Sequence, residues 1–243
     1  MQTEIRRIDL PKDFILKNEI AKEIIVTKKI NPGQDFSYVE KTIYTFPKQS
    51  LIRTKRYKNS KLESTKEFSI DSLNRVIKNI VRFKHKALGW QTSKYETIYR
   101  TKTKDLKMLN LDDSVNYIMR VVFDENDNPI EIKTLNSNDE LIGLSTAVYD
   151  YDNNSFIYTV FKKDGTIVLN KNEYFKKDYE IQRNEFGDLQ EFYWPTSSSN
   201  IKYIIEYKYD DKGNWTKMKK LQIDGKKKKT TEIISRKIKY AKI

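Results

Sequence analysis

The chain reads as an all-β protein, a twisted antiparallel sheet of consecutive hairpins curving toward a half-shell, and three observations predict it. The first is a recurring phrase: an aromatic residue, an Asp or Asn, two or three turn formers, then an apolar residue that opens a new strand. It stands as FSIDSLNRVI (68–77), VFDENDNPIEI (122–132), YDYDNNSFIY (149–158), RNEFGDLQEF (183–192) and YKYDDKGNWTKM (207–218). Asp, Asn and Gly tolerate positive φ and bond to their own backbone, so each copy specifies a hairpin turn between strands whose aromatics share a face. The second is strict alternation, clearest in IKYIIEYKY, where Ile201, Tyr203, Ile205, Tyr207 and Tyr209 take one face and Lys202, Glu206 and Lys208 the other. That is a half-buried antiparallel strand. The third is spacing, because Asp124, Asp152, Asn184 and Asp210 lie roughly 25 to 35 residues apart, the length of a two-strand unit. A unit that short cannot bury its own aromatics, so neighbours must stack.

Taken in order, residues 1–35 form an N-terminal segment without the phrase, and residues 36–243 form the hairpin repeats of one elongated β domain. Phe14, Ile15, Ile20, Ile24 and Ile25 fit one side of a short helix, whereas EIIVTKKI (23–30) is β-branched and strand-like. NPGQD (31–35) is a turn by composition. Strands are expected at 38–46, 51–57, 63–70, 76–83, 95–101, 115–123, 130–135 and 141–149. They continue at 156–161, 166–170, 179–183, 190–194, 201–209, 215–223 and 230–240. Asp-Gly in KKDGT (162–166) and IDGKK (223–227) predicts two tight hairpins.

Composition sets outer limits. Hydrophobic residues make up 37% and charged residues 33%, with 16 Tyr and 11 Phe, too aromatic for a disordered chain. No apolar run approaches the length of a membrane-spanning helix. Lys plus Arg outnumber Asp plus Glu by 47 to 34, a formal +13 read first as the solvated face of alternating strands, with an acidic partner such as nucleic acid, an anionic glycan or lipid head groups as the lesser alternative. With no Cys, disulfides, thiolate catalysis and Cys-based zinc sites are excluded. MQTEIRRIDLPKD has no apolar stretch of a signal peptide; Met1 is either a native cytoplasmic start or precedes a mature N-terminus at Gln2.

Candidate chemistry is sparse. His85 is the single histidine and lies between Lys84 and Lys86 in an exposed turn, so neither a His-based metal cluster nor a Ser-His-Asp triad can be assembled. Glu131 and Lys133 form Glu-x-Lys on one strand face, downstream of Asp112, Asp113, Asp124 and Asp127, and suit a Mg²⁺-dependent nuclease if those carboxylates converge. GKKKKTT (225–231) sets Lys226, Lys227, Lys228 and Lys229 at one hairpin tip. It is either a solvated tip whose lysines discourage edge pairing or a salt-sensitive grip for phosphates or sulfates. Lys217, Lys219 and Lys220, on the strand leading to it, are expected to join that basic end. Trp215 opens a strand and reads as core, whereas Trp90 and Trp194 stand at loop edges, where an indole covers a sheet end or meets a sugar or base. Asn153-Asn154-Ser155 and Asn214-Trp215-Thr216 match glycosylation sequons.

YDDKGNW, FDENDNP and FSIDSLNRV resemble the YD repeat of the Rhs and teneurin families, and the block YKYDDKGNWTKM with SRKIKY (235–240) resembles degenerate YD-repeat proteins of bacterial cell envelopes. The resemblance covers roughly residues 68–240, with the fullest copies at Asp71, Asp124 and Asp210. Asn74 and Asn128 stand where the family carries Gly, and the copies at Asp152 and Asn184 are degenerate. What the resemblance implies is a hairpin-built sheet with a binding or structural role and no catalytic residue or cofactor. The expected function is thus a non-catalytic binding or scaffold protein of a bacterial cell envelope, periplasmic or secreted, engaging a protein or glycan partner. The alternative is a cytoplasmic immunity-type protein that masks an acidic partner.

Overall fold

The computed structural model describes residues 21–153, 155–174, 182–196 and 199–241, and the regular structure there is entirely β. Seventeen strands are formed among the described residues: β1 (Ala21–Ile30), β2 (Tyr38–Lys48), β3 (Leu51–Lys58), β4 (Lys61–Ile70), β5 (Val76–His85), β6 (Gly89–Tyr99), β7 (Thr103–Leu109), β8 (Val115–Phe123) and β9 (Pro129–Asn136). They continue with β10 (Leu141–Asp150), β11 (Ser155–Phe161), β12 (Ile167–Tyr174), β13 (Gln182–Arg183), β14 (Leu189–Thr196), β15 (Ser199–Tyr209), β16 (Trp215–Asp224) and β17 (Lys227–Tyr240). The predicted fold class holds: an antiparallel meander in which a strand pairs with the strand next to it in the chain.

Two compact units divide the described chain, residues 66–174 and residues 21–65 with 182–241. In the first, β5 to β12 pair in chain order. One face of this meander collects Leu106, Val121, Ile132 and Ala147, all buried. In the second, β13 to β17 and β1 to β3 form two runs of hairpins joined where β17 pairs with β1, with Ile24 opposite Ile238 and Val26 opposite Arg236. At that join the core is deepest: Ile24 and Val26 are fully buried with Ala21, Tyr44 and Ile234, and Phe46, Trp215, Met218 and Ile238 pack against them. Apolar side chains two residues apart on β1 point the same way, so the strand buries its β-branched row against its two neighbours at once.

Several expectations need correction. Of the two readings of the N-terminal stretch, the strand forms: Ile24 and Ile25 lie in β1, and residues 14–20 lie outside the described residues. β7 was not expected, because TKDLKML carries three charges in seven residues and lacks a clean apolar alternation. It forms because Asp105 is buried against arginines while Leu106 and Leu109 bury opposite and beyond it. β6 begins at Gly89, six residues before the expected start, since Trp90, Thr92 and Gln91 pair with β5 despite their mixed polarity. Of the strand expected at 179–183, residues 182–183 are described and form β13.

Candidate functional site

The turns carry most of the polar chemistry. Among the described residues seven of them share one geometry, in which the amide of residue i donates to the carbonyl of i+4 and the amide of i+3 donates back to the carbonyl of i; they start at Asp71, Asn110, Asp124, Asn136, Lys162, Asn184 and Asp210. Residue i+3 is left-handed in each: Asn74, Asp113, Asp127 and Asp139, with φ of 58° to 68°, and Gly165, Gly187 and Gly213, with φ of 74° to 84°. This is a type I turn closed by a bulge residue in the left-handed region, the common three-residue hairpin loop. Asx side chains complete it. Asp71, Asp124, Asn136, Asn184 and Asp210 each accept, through Oδ1, from the amides of i+2 and i+4. At the other two turns the acceptor moves to i+2, where Asp112 takes the Ser114 amide and Asp164 the Thr166 amide.

This geometry corrects four readings of the phrase. The glycine-equivalent position in FDENDNP is Asp127, one residue before Asn128, which matches Asn214 instead. In YDYDNNSF the turn is capped by Asp150, which accepts from the amide and side chain of Asn153, and not by Asp152. The Asn184 copy is geometrically complete. KKDGT forms this longer loop, whereas Asp224 and Lys227 pair directly and leave Gly225 and Lys226 as a two-residue tip.

A tyrosine locks several of these turns to the following strand. Tyr240, the last residue of β17, donates to Asp210 Oδ2 at 2.6 Å and accepts from Asn214 Nδ2 at 3.0 Å. Tyr151 repeats this with Asp124, and accepts from Asn128 at 3.0 Å. At Tyr209 the acid and amide exchange places: it donates to Asp188 at 2.8 Å and accepts from Asn184 at 2.6 Å. A second hydroxyl, from Tyr99, Tyr149 or Tyr207, donates to the first carbonyl past the turn, on Val76, Pro129 or Leu189. At the Asp71 turn, Arg75 replaces the amide, pairing with Asp71 and stacking on Tyr99 at 4.5 Å.

The electrostatics follow. Burial pushes the Asp210 and Asp124 carboxyls up, but the Tyr240 or Tyr151 hydroxyl, the turn amides and a nearby cation outweigh it and hold both below the usual carboxylate range. Burial, reinforced by the neighbouring carboxylate, pushes the Tyr240, Tyr149 and Tyr207 hydroxyls up to about 12. Among the described residues Asp105 is the one buried carboxylate set into a strand, its side chain 3% exposed, where it accepts from Arg100 Nη1 at 2.9 Å and from Arg120 Nε at 3.0 Å. Burial would raise it, and the two guanidiniums keep it ionised below the usual range.

The residues singled out from the sequence are dispersed. Glu131 and Lys133 do share a face of β9 and pair at 2.9 Å. Asp112 and Asp113 sit in the β7–β8 turn and Asp124 and Asp127 in the β8–β9 turn, at opposite ends of a strand about 25–30 Å long. The convergence a nuclease needs is absent from this arrangement, and no group of three metal-ligating side chains occurs among the described residues. His85 Nδ1 accepts from the Ala87 and Leu88 amides, both at 3.2 Å, and so closes its own turn. Lys226, Lys227, Lys228 and Lys229 are exposed at the β16–β17 tip. Lys217 and Lys219 lie back along β16 from that tip, but Lys219 and Lys228 both reach the Glu206 carboxylate, at 3.9 and 3.4 Å, so Lys219 joins the basic end, whereas Lys220 faces the other way, over the Phe192 and Tyr203 rings. Trp90 is 42% exposed, with Arg82 stacked at 5.9 Å. The Trp194 side chain lies outside the described residues. Trp215 packs at the core with Arg236 over its ring at 3.9 Å. Asn214 is 2% exposed, which rules out its sequon as an acceptor in the folded chain.

No protein-family model matches this chain, and no curated protein does. A solved structure it resembles is a porin-like protein from Bacteroides uniformis, at 10% identity and a TM-score of 0.39, covering 90% of this chain and 98% of that one. No family model supports the YD-repeat assignment, which is corrected: its phrase is the local signature of an Asx-capped hairpin turn locked by a tyrosine, a chemistry that an antiparallel meander can reach from its own turn requirements.

Proposed function

We propose that this protein is a non-catalytic binding or scaffold protein of a bacterial cell envelope, engaging a protein or glycan partner through its sheet faces and loops. One observation carries the reading: many of the described carboxylates and the single histidine are engaged in holding turns or in ion pairs. Asp71, Asp112, Asp124, Asp150, Asp164 and Asp210 cap hairpin turns, His85 caps another, and Asp105 pairs with two arginines. A carboxylate held below its usual range by the Ser114 or Asn153 side chain, as Asp112 and Asp150 are, or by turn amides, as Asp71 and Asp164 are, is a poor proton donor or acceptor near neutrality, where general acid–base work needs one. What remains available is surface: rigid loops, the Trp90 indole and lysine-rich strand faces. The test is capture of partners from native envelope and cytosolic fractions at low and high salt. Salt-sensitive retention of an envelope protein or glycan, weakened by Trp90→Ala, supports the reading. Partners found solely in the cytosolic fraction, or turnover of a substrate abolished by Glu131→Ala, would refute it.

A further inference from the structure

Three connections meet at one end of the unit built from residues 21–65 and 182–241. The β1–β2 loop leaves beside β17, where the Asn31 amide donates to the Thr231 carbonyl at 2.9 Å. From Thr231 the β17 strand runs on past this loop for four more residues, about 13 Å, to the tip at Lys227. The β3–β4 turn, with Asn59 and Ser60 both at positive φ, is fastened to the start of β2 by the Asn59 amide on the Val39 carbonyl and the Val39 amide on Asn59 Oδ1. This end therefore carries Lys58, Lys61 and Lys226 to Lys229. The acidic groups at this end are Asp224, which flanks the tip, Asp35 in the loop, Glu206, which reaches Lys228 at 3.4 Å, and Glu40, which stands opposite Lys58 and pairs with Arg56.

Phe36 stands in the β1–β2 loop, between the β17 side and the β3 side of this end in the sheet order. Two successive turns, closed by the Gln34 amide on Asn31 and the Ser37 amide on Gln34, lift it to 86% exposure, the highest of any large apolar side chain among the described residues. A projecting Phe gains nothing from water and cannot act as a stacking platform along a groove, but it suits insertion at the boundary between head groups and acyl chains. One inserted side chain or one basic cluster alone binds a membrane marginally; the two together form the two-signal arrangement that reversible anchoring requires.

We propose that this end docks on an anionic lipid surface, with Phe36 entering the interface and the lysines of this end lying against the head groups. The proposal concerns lipid alone and does not depend on a protein or glycan partner. It is tested by co-sedimentation of the full chain with vesicles of phosphatidylcholine mixed with phosphatidylglycerol, against phosphatidylcholine alone. Binding is expected for the anionic vesicles and should weaken steeply with added salt. Phe36→Ser should reduce affinity by about tenfold, and replacing Lys226 to Lys229 with Ser by about a hundredfold or more, each variant keeping the parent circular dichroism spectrum. Phe36→Trp should retain binding, and its added indole should be quenched by lipids brominated on the acyl chain. Equal binding to both vesicle types, an unchanged affinity in Phe36→Ser, or no quenching of the added indole in Phe36→Trp would each overturn the proposal. So would preferential binding to single-stranded DNA that Phe36→Ser leaves intact, since that would make the end a polyanion site without a membrane role.

Discussion

Removing one oxygen atom tests the turn locks. In Tyr240→Phe the ring and its packing stay, while Asp210 loses a hydrogen bond of 2.6 Å and the side-chain amide of Asn214 loses one of 3.0 Å. A bond to a charged acceptor contributes about 1.5–3 kcal/mol and an ordinary neutral one about 0.5–1.5 kcal/mol, part of which relaxation recovers. A net loss of about 2–3 kcal/mol is expected, which for a chain of this length lowers Tm by roughly 5–10 °C. Urea and thermal unfolding followed by circular dichroism measure it. Tyr158→Phe is the control, because its hydroxyl makes a weak contact of 3.4 Å with Ser145 and its removal should stay within about 0.5 kcal/mol. The pH dependence follows from Asp210, whose carboxyl is depressed in the folded state. Such a group contributes stability that is full above its unfolded value of about 3.9 and is lost as pH falls through the lower folded value. The gap between parent and Tyr240→Phe should therefore hold from neutral pH down to about 4 and narrow below it. A difference under about 0.5 kcal/mol, or one that survives unchanged into acid, would refute the assignment of a charge-assisted lock.

Four further outcomes are expected. Tyr149, Tyr207 and Tyr240 should ionise in a late class near 12 in a spectrophotometric titration; because these values are raised, their contribution is full below about 10 and declines as pH climbs through the folded values, so stability should fall there. Gly213→Ala should cost about 1 kcal/mol in urea unfolding from its φ of 74° alone, since the added Cβ would meet the Phe186 ring at an ordinary 3.8 Å, and Gly213→Asn should cost less. Arg120→Met should cost more than Arg100→Met, about 2–3 kcal/mol, as Arg120 makes two bonds to the buried Asp105 and Arg100 one. Ile24→Ala, at a fully buried position on β1, should cost about 3 kcal/mol and sharply raise amide exchange across the β1–β17 pairing.

The division between what is local and what is not explains where the sequence could be read. Hairpins were legible because a turn of five residues carries its own instructions: an acceptor at i, a left-handed position at i+3, apolar alternation on either side. The turns at Asn110 and Asn136 obey the same rule and could have been found by asking for Asx at i with Asn, Asp or Gly at i+3. The Asp, Tyr and Asn of a lock were visible too, yet their partnership was not, since Asp210 and Tyr240 are 30 residues apart and only strand register brings them together.

By itself, the sequence determined that this is a β protein of chained hairpins with an excess of positive charge, because turn chemistry and period-two alternation act over a few residues. Tertiary structure decided the rest. It joined β1 to β17 across nearly the whole chain, made a strand of TKDLKML by supplying arginines from β8 and the β6–β7 turn to a buried Asp105, and set Phe36 at an end that carries lysines from two other connections. Each of those outcomes depends on which side chains meet through space, and no residue carries that information in its neighbours along the chain.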